Sequence, residues 1–288
     1  MTTAWSISEL ESAERAIAIG TFDGVHRGHR AVIEAAKATG LRSAVVTFQP
    51  HPRKVLGYGV ELLATLARRL ELIEAIAPDD LLVLEFTPEL AQLEPEEFVK
   101  LVLEPIGAKI MVAGDDFRFG SRRRGDATLL RQLGLEILPV PVVEGVSSTG
   151  IRELLHAGDV AGAAVLLGRA PEVEGVVVSG DQRGGTLGFP TANLAVEPDL
   201  LVPAYGIYAG AALGRRAGIS IGVNPHYGGV ERRVEAFLLD FEGDLYGEHL
   251  RLELWQRLRD EEAFASEADL IAQIALDVEA ARNASPPV

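Results

Sequence analysis

The chain of 288 residues carries 48% hydrophobic residues and a formal net charge of −15. That length suits one large or two ordinary domains with real cores, and the acidic balance argues against a general nucleic-acid binder, which needs a basic face. With no cysteine in the chain, disulfides, thiolate catalysis and Cys-ligated metals are excluded. The first residues lack a basic n-region and an apolar h-region, and no apolar run approaches the ~20 residues of a membrane-spanning helix. The expectation is a cytoplasmic protein with neither membrane nor nucleic acid as partner. Oligomeric state stays open.

Residues 1–15 are acidic and carry no clear pattern. Residues 16–19, Ala-Ile-Ala-Ile, read as a buried strand. The loop Gly20-Thr-Phe-Asp-Gly-Val-His-Arg-Gly-His29 follows, and then a helix over 31–37. A strand, a glycine-bearing loop and a helix form a construction for holding phosphate. Free N–H groups point outward at the helix start, and the helix dipole favours an anion there. His26 and His29 stand three residues apart and can face one side of the first helical turn. The loop alone is a weak signal. The histidines also suit metal ligation or a surface position without a role, although no cysteine and no HExxH pattern supports zinc.

Further strands are expected at 42–48, 81–84, 109–113 and 135–140. They alternate with helices over 61–77, over 94–103 with Pro95 in the first turn, and from an Asp126 cap to Leu133. This alternation predicts a doubly wound parallel sheet with ligands at the carboxyl ends of its strands. Three loops there carry polar chemistry. Pro50-His51-Pro52 is a stiff turn. Residues 114–125 mix Phe117 and Phe119 with Arg118 and Arg122 to Arg124, rings that can stack on a heterocycle and guanidinium groups that can clamp phosphate. Ser147 to Arg152 opens a helix reaching His156, with Ser147 or Ser148 as cap. A plain turn, a solvated basic face and a plain cap are the respective alternatives.

A short helix over 159–167 and a boundary near 168–171 separate a second part. All four lysines precede that boundary, so phosphates in the second part must meet arginine, backbone or metal. Strands at 173–178, 206–213, 217–223, 234–240 and 249–255 follow without intervening helices, which predicts a small β-barrel. A helix over 267–282 ends the chain, with Leu270, Ile271, Ile274 and Val278 on one face. Between the first two of these strands, glycines at 180, 184, 185 and 188 suggest a flap over phosphates. Thr191 and Asn193 supply neutral oxygens that could complete a Mg²⁺ shell. An ordinary hairpin connection is the alternative. Glu235, between Val234 and Ala236, could point into or out of the barrel.

The motif from Gly20 to His29 resembles the HxGH signature of the nucleotidylyltransferases and, in its fuller form, their FAD synthetase branch. Pro50-His51-Pro52 extends the resemblance. So do Asp116-Phe117-Arg118-Phe119-Gly120 with Arg123 and Gly125, and Ser147-Ser148-Thr149 with Ile151 and Arg152. Leu187 to Asn193, LGFPTAN, is similar to the riboflavin kinase signature. Glu235, Asp244-Leu245-Tyr246-Gly247 and the Leu258 to Phe264 element match farther on. Over nearly its whole length the chain resembles prokaryotic bifunctional riboflavin kinase/FAD synthetases.

The resemblance implies a nucleotidylyltransferase-like domain over 1–168 that converts FMN and ATP to FAD and pyrophosphate. It implies a kinase domain over 171–288 that converts riboflavin and ATP to FMN and ADP. Riboflavin, FMN, FAD and ATP are then the partners, with ATP as co-substrate and Mg²⁺ as cofactor. In the adenylyltransferase, it implies that Gly20, Phe22, Asp23, His26, His29, Ser148, Thr149 and Arg152 meet ATP, while Phe117, Phe119 and Arg123 hold FMN. In the kinase, it implies that Gly180, Gly188, Thr191 and Asn193 meet ATP, that Thr191 and Asn193 hold the metal, and that Glu235 and Arg259 meet the flavin. Glu235, His26 and His29 are the implied catalytic residues. The pattern departs at Gly150, where many relatives have Arg, and at His226, where they usually have Thr. Two alternatives stand: an FAD synthetase with a degenerate flavin-binding C-terminal domain, and a non-enzymatic flavin sensor.

Overall fold

The computed structural model describes the chain apart from residues 115–116, 181–188, 224–231 and 288. It forms two compact units, one of Met1–Val60 with Thr65–Val146 and the other of Glu61–Ala64 with Ser147–Val288.

The first unit is built on a parallel six-stranded sheet. Its strands are β1 (Thr2–Ala4), β2 (Arg15–Ile19), β3 (Arg42–Gln49), β4 (Asp80–Glu85), β5 (Ala108–Ala113) and β6 (Glu136–Pro139), in the order β1-β4-β3-β2-β5-β6. The helices are α1 (Arg27–Lys37), α2 (Pro52–Val55), α3 (Leu66–Glu74), α4 (Pro88–Gln92), α5 (Pro95–Phe98) and α6 (Ala127–Gln132). The strands read as continuous apolar runs because both faces are covered. Adjacent side chains point to opposite faces. Ala16, Ala18, Val45 and Val83 pack with Ile33 of α1 and Leu72 and Ile73 of α3. Ile17, Val46, Leu82 and Met111 pack on the other side with Phe98, Val102 and Leu103.

Three expectations change here. The helix expected over 61–77 starts only at Leu66, because Thr65 caps it, its hydroxyl accepting the Arg68 N–H at 3.2 Å. Residues Glu61–Ala64 join the second unit, where Leu62 bridges Leu200. The helix expected over 94–103 is one turn of α5 followed by a wider π-type turn, Val99–Leu103. Thr2–Ala4, in the stretch without pattern, adds an edge strand to β4.

The second unit is a closed antiparallel barrel in the order β10-β11-β8-β7-β12-β9. Its strands are β7 (Glu172–Val178), β8 (Ala192–Val196), β9 (Gly206–Ala212), β10 (Arg215–Val223), β11 (Arg232–Leu238) and β12 (His249–Arg259). Val173, Leu194, Tyr208, Ile219, Val234 and Leu252 fill the interior. Ile151 and Leu155 of α7 (Ser148–His156) and Val160 and Leu167 of α8 (Val160–Leu167) continue the same core. The last helix, α9 (Glu267–Asn283), packs against β9 and β10, where Ala281 meets Ala209, Ala211 and Trp255. The strand β8 begins on the last two residues of the LGFPTAN stretch and runs on to Val196, a segment that the alternation of side chains did not mark as a strand.

Candidate active sites

In the first unit β2 lies between β3 and β5, so the strand order reverses at its carboxyl end, where open α/β sheets form a crevice. The chain leaves β2 through residues 20–25 and enters α1 with His26 as N-cap. Phe22, Asp23 and His26 are buried. The Val25 N–H donates to the Phe22 carbonyl at 3.0 Å. Phe22, Gly24 and Val25 have φ of 49°, 79° and 40°. Glycine takes that conformation readily, but a bulky Phe and a β-branched Val rarely do. Such strain concentrates at loops that clamp ligands.

The His29 backbone N–H donates to His26 Nδ1 at 3.3 Å, and the two imidazoles stack with centroids 3.5 Å apart at 16°. Phe22 meets His29 edge-on at 5.2 Å. Burial, and then the nearby His26, pushes the His29 pKa well below the usual imidazole value. Its Nδ1 is buried with no hydrogen-bond partner. A helix start, whose dipole favours negative charge, and a neutral imidazole with an unused nitrogen together suit an anionic oxygen.

The other loops of this unit are more structural in what they touch. His51 caps α2, its Nδ1 accepting the Arg53 N–H at 3.2 Å. Phe119 sits in the core 5.9 Å from Phe98, and the half-buried Phe117 stacks on it at 5.8 Å and 16°. Arg123 is exposed, and Arg124 pairs with Glu94. Asp116 lies outside the described residues. One residue that the sequence did not single out stands beside the crevice: Arg69 of α3, only 3% exposed. In Leu66-Ala-Arg-Arg-Leu70 it looks like a second solvated cation next to Arg68, which does pair outward with Glu71 at 2.8 Å.

Ser148, Thr149 and Arg152 belong to α7 of the second unit. Ser147 caps that helix, its hydroxyl accepting the Gly150 N–H at 3.0 Å, and Arg152 Nε donates to the Glu61 carbonyl at 2.6 Å.

On the barrel, Glu235 of β11 is the direct cross-strand neighbour of Asn193 of β8. Val234, Ala236 and Leu238 alternate with Glu235 and fill the barrel interior, so Glu235 projects from the outer face. Thr191 Oγ1 donates to Glu235 Oε2 at 3.5 Å, and Arg233 Nη1 to Oε1 at 3.2 Å. A Cβ at Gly180 would fall 2.3 Å from Asn193 Nδ2, so only glycine lets that amide rest on the backbone there. Thr191, Asn193, Gly180 and Glu235 thus come together. Arg259 is anchored on the last helix: its Nε and Nη2 donate to Asp277 of α9 at 3.0 and 2.7 Å, and its guanidinium lies 5.7 Å from the Phe264 ring. Burial raises the Glu261 pKa; Arg259 opposes the rise and the Glu235 carboxylate reinforces it. Leu187, Gly188 and His226 lie outside the described residues.

A family model described as FAD synthetase matches residues 8–152, and one described as riboflavin kinase matches residues 167–285. The bifunctional riboflavin kinase/FMN adenylyltransferase of Escherichia coli (strain K12) is 35% identical over 96% of this chain and 95% of its own. That of Bacillus subtilis (strain 168) is 34% identical over 93% and 91%. A solved structure described as a macrolide-efflux protein from Streptococcus pneumoniae matches with a TM-score of 0.89 at 31% identity, covering 98% of this chain and 99% of that one. Efflux is said of that protein; here no helix among the described residues is long and apolar enough to cross a membrane. With both family models matched in order and relatives of this identity spanning nearly the full length, the chain belongs to the bifunctional riboflavin kinase/FMN adenylyltransferase family.

Proposed function

We propose that the chain uses ATP twice, phosphorylating riboflavin to FMN in the barrel unit and adenylylating FMN to FAD in the parallel-sheet unit. The observation that carries this reading is the presence of two distinct constellations in two units of one chain. One is the stacked His26–His29 pair at the helix start after β2, and the other is the Glu235–Asn193–Thr191 group on the barrel.

In the kinase, Glu235 accepts or orients the proton of the ribityl 5′-hydroxyl as its oxygen attacks the γ-phosphorus and ADP departs. The Thr191 hydroxyl and Asn193 amide are hard, neutral oxygen donors beside that carboxylate, a set that fits Mg²⁺ shared with ATP phosphates. Bound there, the ion supplies charge neutralisation to the transferring phosphoryl group. Gly180 keeps the Asn193 amide in place, and Arg259 helps to hold the flavin from its anchor on α9.

In the adenylyltransferase, the FMN phosphate is itself an anionic nucleophile. Its oxygen attacks the α-phosphorus of ATP, pyrophosphate leaves, and no strong base is needed. The work of the protein is positioning and charge stabilisation. The amides at the start of α1, with His26 and His29, hold the phosphates. Asp23 and the backbone at Gly20 and Phe22 contact ATP. Phe117, backed by the buried Phe119, offers its ring to the isoalloxazine, and Arg123 offers charge to the FMN phosphate. Both reactions belong to a cytoplasmic setting.

The test is to incubate the purified protein with riboflavin, ATP and Mg²⁺ and to follow flavins by chromatography. FMN followed by FAD is the expected result. Untouched riboflavin, with supplied FMN still converted to FAD, would leave an adenylyltransferase joined to a barrel without kinase activity.

A further inference from the structure

Arg69 is a buried cation whose place in α3 aims it at the carboxyl ends of β2 and β3. Its Nη1 donates to the Thr21 carbonyl at 2.9 Å. Its Nη2 donates to the Phe48 carbonyl at 2.9 Å and to Gln49 Oε1 at 3.3 Å. The Thr47 hydroxyl donates to the same Thr21 carbonyl at 3.2 Å. One planar fork therefore ties the end of β2 to the end of β3. Lysine could not reproduce this, because its donors radiate from a single point.

The environment of Arg69 is a poor one for simple packing. Its hydrogen bonds go to neutral oxygens, and its Nε is buried with no partner. Burial draws its pKa below the ordinary guanidinium value, and the charge of Asp23 counters this. A buried charge without full hydrogen bonding is costly, and an apolar side chain would fill the same space at less cost. What the guanidinium adds is the direction of two carbonyls. Thr21 is the residue directly before the left-handed Phe22, the first turn of the loop that ends in the His26 cap.

We propose that Arg69 is a positioning residue for adenylyl transfer: its fork fixes the Thr21 carbonyl and, through it, the strained Phe22–Val25 turn that sets His26 and His29. The inference rests on the adenylyltransferase reading of this unit. Arg69 acts through the loop, so its loss disturbs the geometry of reaction more than the ground-state binding of ATP. Misplacement of the reacting groups by about 1 Å is enough to cost on the order of 100-fold in rate.

The experiment measures steady-state FAD synthesis from FMN and ATP for full-length Arg69→Gln, Arg69→Lys and Thr47→Val, with riboflavin phosphorylation measured on the same samples. Both Arg69 variants are expected to lose at least tenfold in kcat, with KM for ATP and FMN within about threefold of the parent and the kinase reaction unchanged. Thr47→Val, which removes one of the two donors on the Thr21 carbonyl, is expected to lose about threefold in kcat. Full kcat in Arg69→Lys, or an effect confined to KM, would overturn the proposal, since charge or binding alone would then suffice. If the Arg69 variants precipitate, unchanged kcat in Thr47→Val overturns it and the threefold loss upholds it. Failure of the parent protein to make FAD from FMN would instead strike the functional reading.

Discussion

His29 combines a half-buried side chain, a lowered pKa and a buried ring nitrogen with no partner, a combination that a packing role does not require. An anionic phosphate beside the ring would reverse the effect of burial and draw a proton onto it. Binding a non-hydrolysable ATP analogue at pH 6.5 should therefore take up more protons in the parent protein than in His29→Asn, as read by calorimetry in buffers of different ionisation enthalpy. Equal uptake would place His29 away from the phosphates. The same shift has a sign for stability. The folded pKa lies below the unfolded value of about 6.5, so the unfolded state binds the extra proton and native stability falls as the pH drops through that value. His29→Asn should flatten that part of the profile. The three-residue spacing of His26 and His29 was legible in the sequence, because such a spacing at a helix start brings side chains together. The inward turn of Arg69 was not, because in an amphipathic pattern a second arginine looks like another solvated charge.

At the scale of elements, the alternation of apolar runs with helices was enough to foresee a doubly wound sheet, and glycine-separated strands were enough for a barrel. What periodicity could not settle was direction. Glu235 lies between two apolar residues on β11, and only the closed barrel fixes the face on which it stands, opposite Asn193. Phe119 looked like a ring for a ligand and is instead part of the core with Phe98. The Ser147–Arg152 motif precedes the boundary read from the sequence, yet its helix packs Ile151 and Leu155 into the core of the barrel. Motif order reports shared chemistry and packing reports shared core, and the two need not divide a chain at one residue. The close approach at Gly180 yields a prediction at this scale. In Gly180→Ala the new methyl must displace the Asn193 amide, so riboflavin phosphorylation should fall at least tenfold while FAD synthesis from FMN stays within twofold. Normal kinase activity would show that the amide can move without consequence.

For the molecule as a whole, stability and catalysis draw on opposite ends of the parallel sheet. At the amino ends of β2, β3 and β4, Asp80 accepts from Arg15 at 2.8 Å and from Arg42 at 2.7 Å, with Arg15 and Asp80 each 1% exposed. Burial alone would raise the Asp80 pKa, but the hydrogen bonds from Arg42 and Arg15 outweigh it and hold the carboxyl below its usual value. Removing one partner from a buried pair strands the other charge, so Asp80→Asn should cost about 3 kcal/mol of stability in the first unit. The loss should be constant between pH 5 and 8. It should shrink as the pH falls below the unfolded carboxyl value of about 3.9 and through the lower folded one, where Asp80 of the parent protein also becomes neutral. Denaturant unfolding followed across pH reads this directly; a loss that grows in acid would contradict it.

The central claim is that one chain holds two separable ATP-dependent sites, and it is tested most directly by a reciprocal pair of variants assayed for both reactions. His29→Asn should lose about 100-fold or more in FAD synthesis from FMN while still making FMN from riboflavin at the parent rate. Glu235→Gln should lose about 100-fold or more in FMN formation while still converting supplied FMN to FAD. Mixing the two variants should restore FAD from riboflavin through free FMN. Loss of both activities in either folded variant would contradict the account.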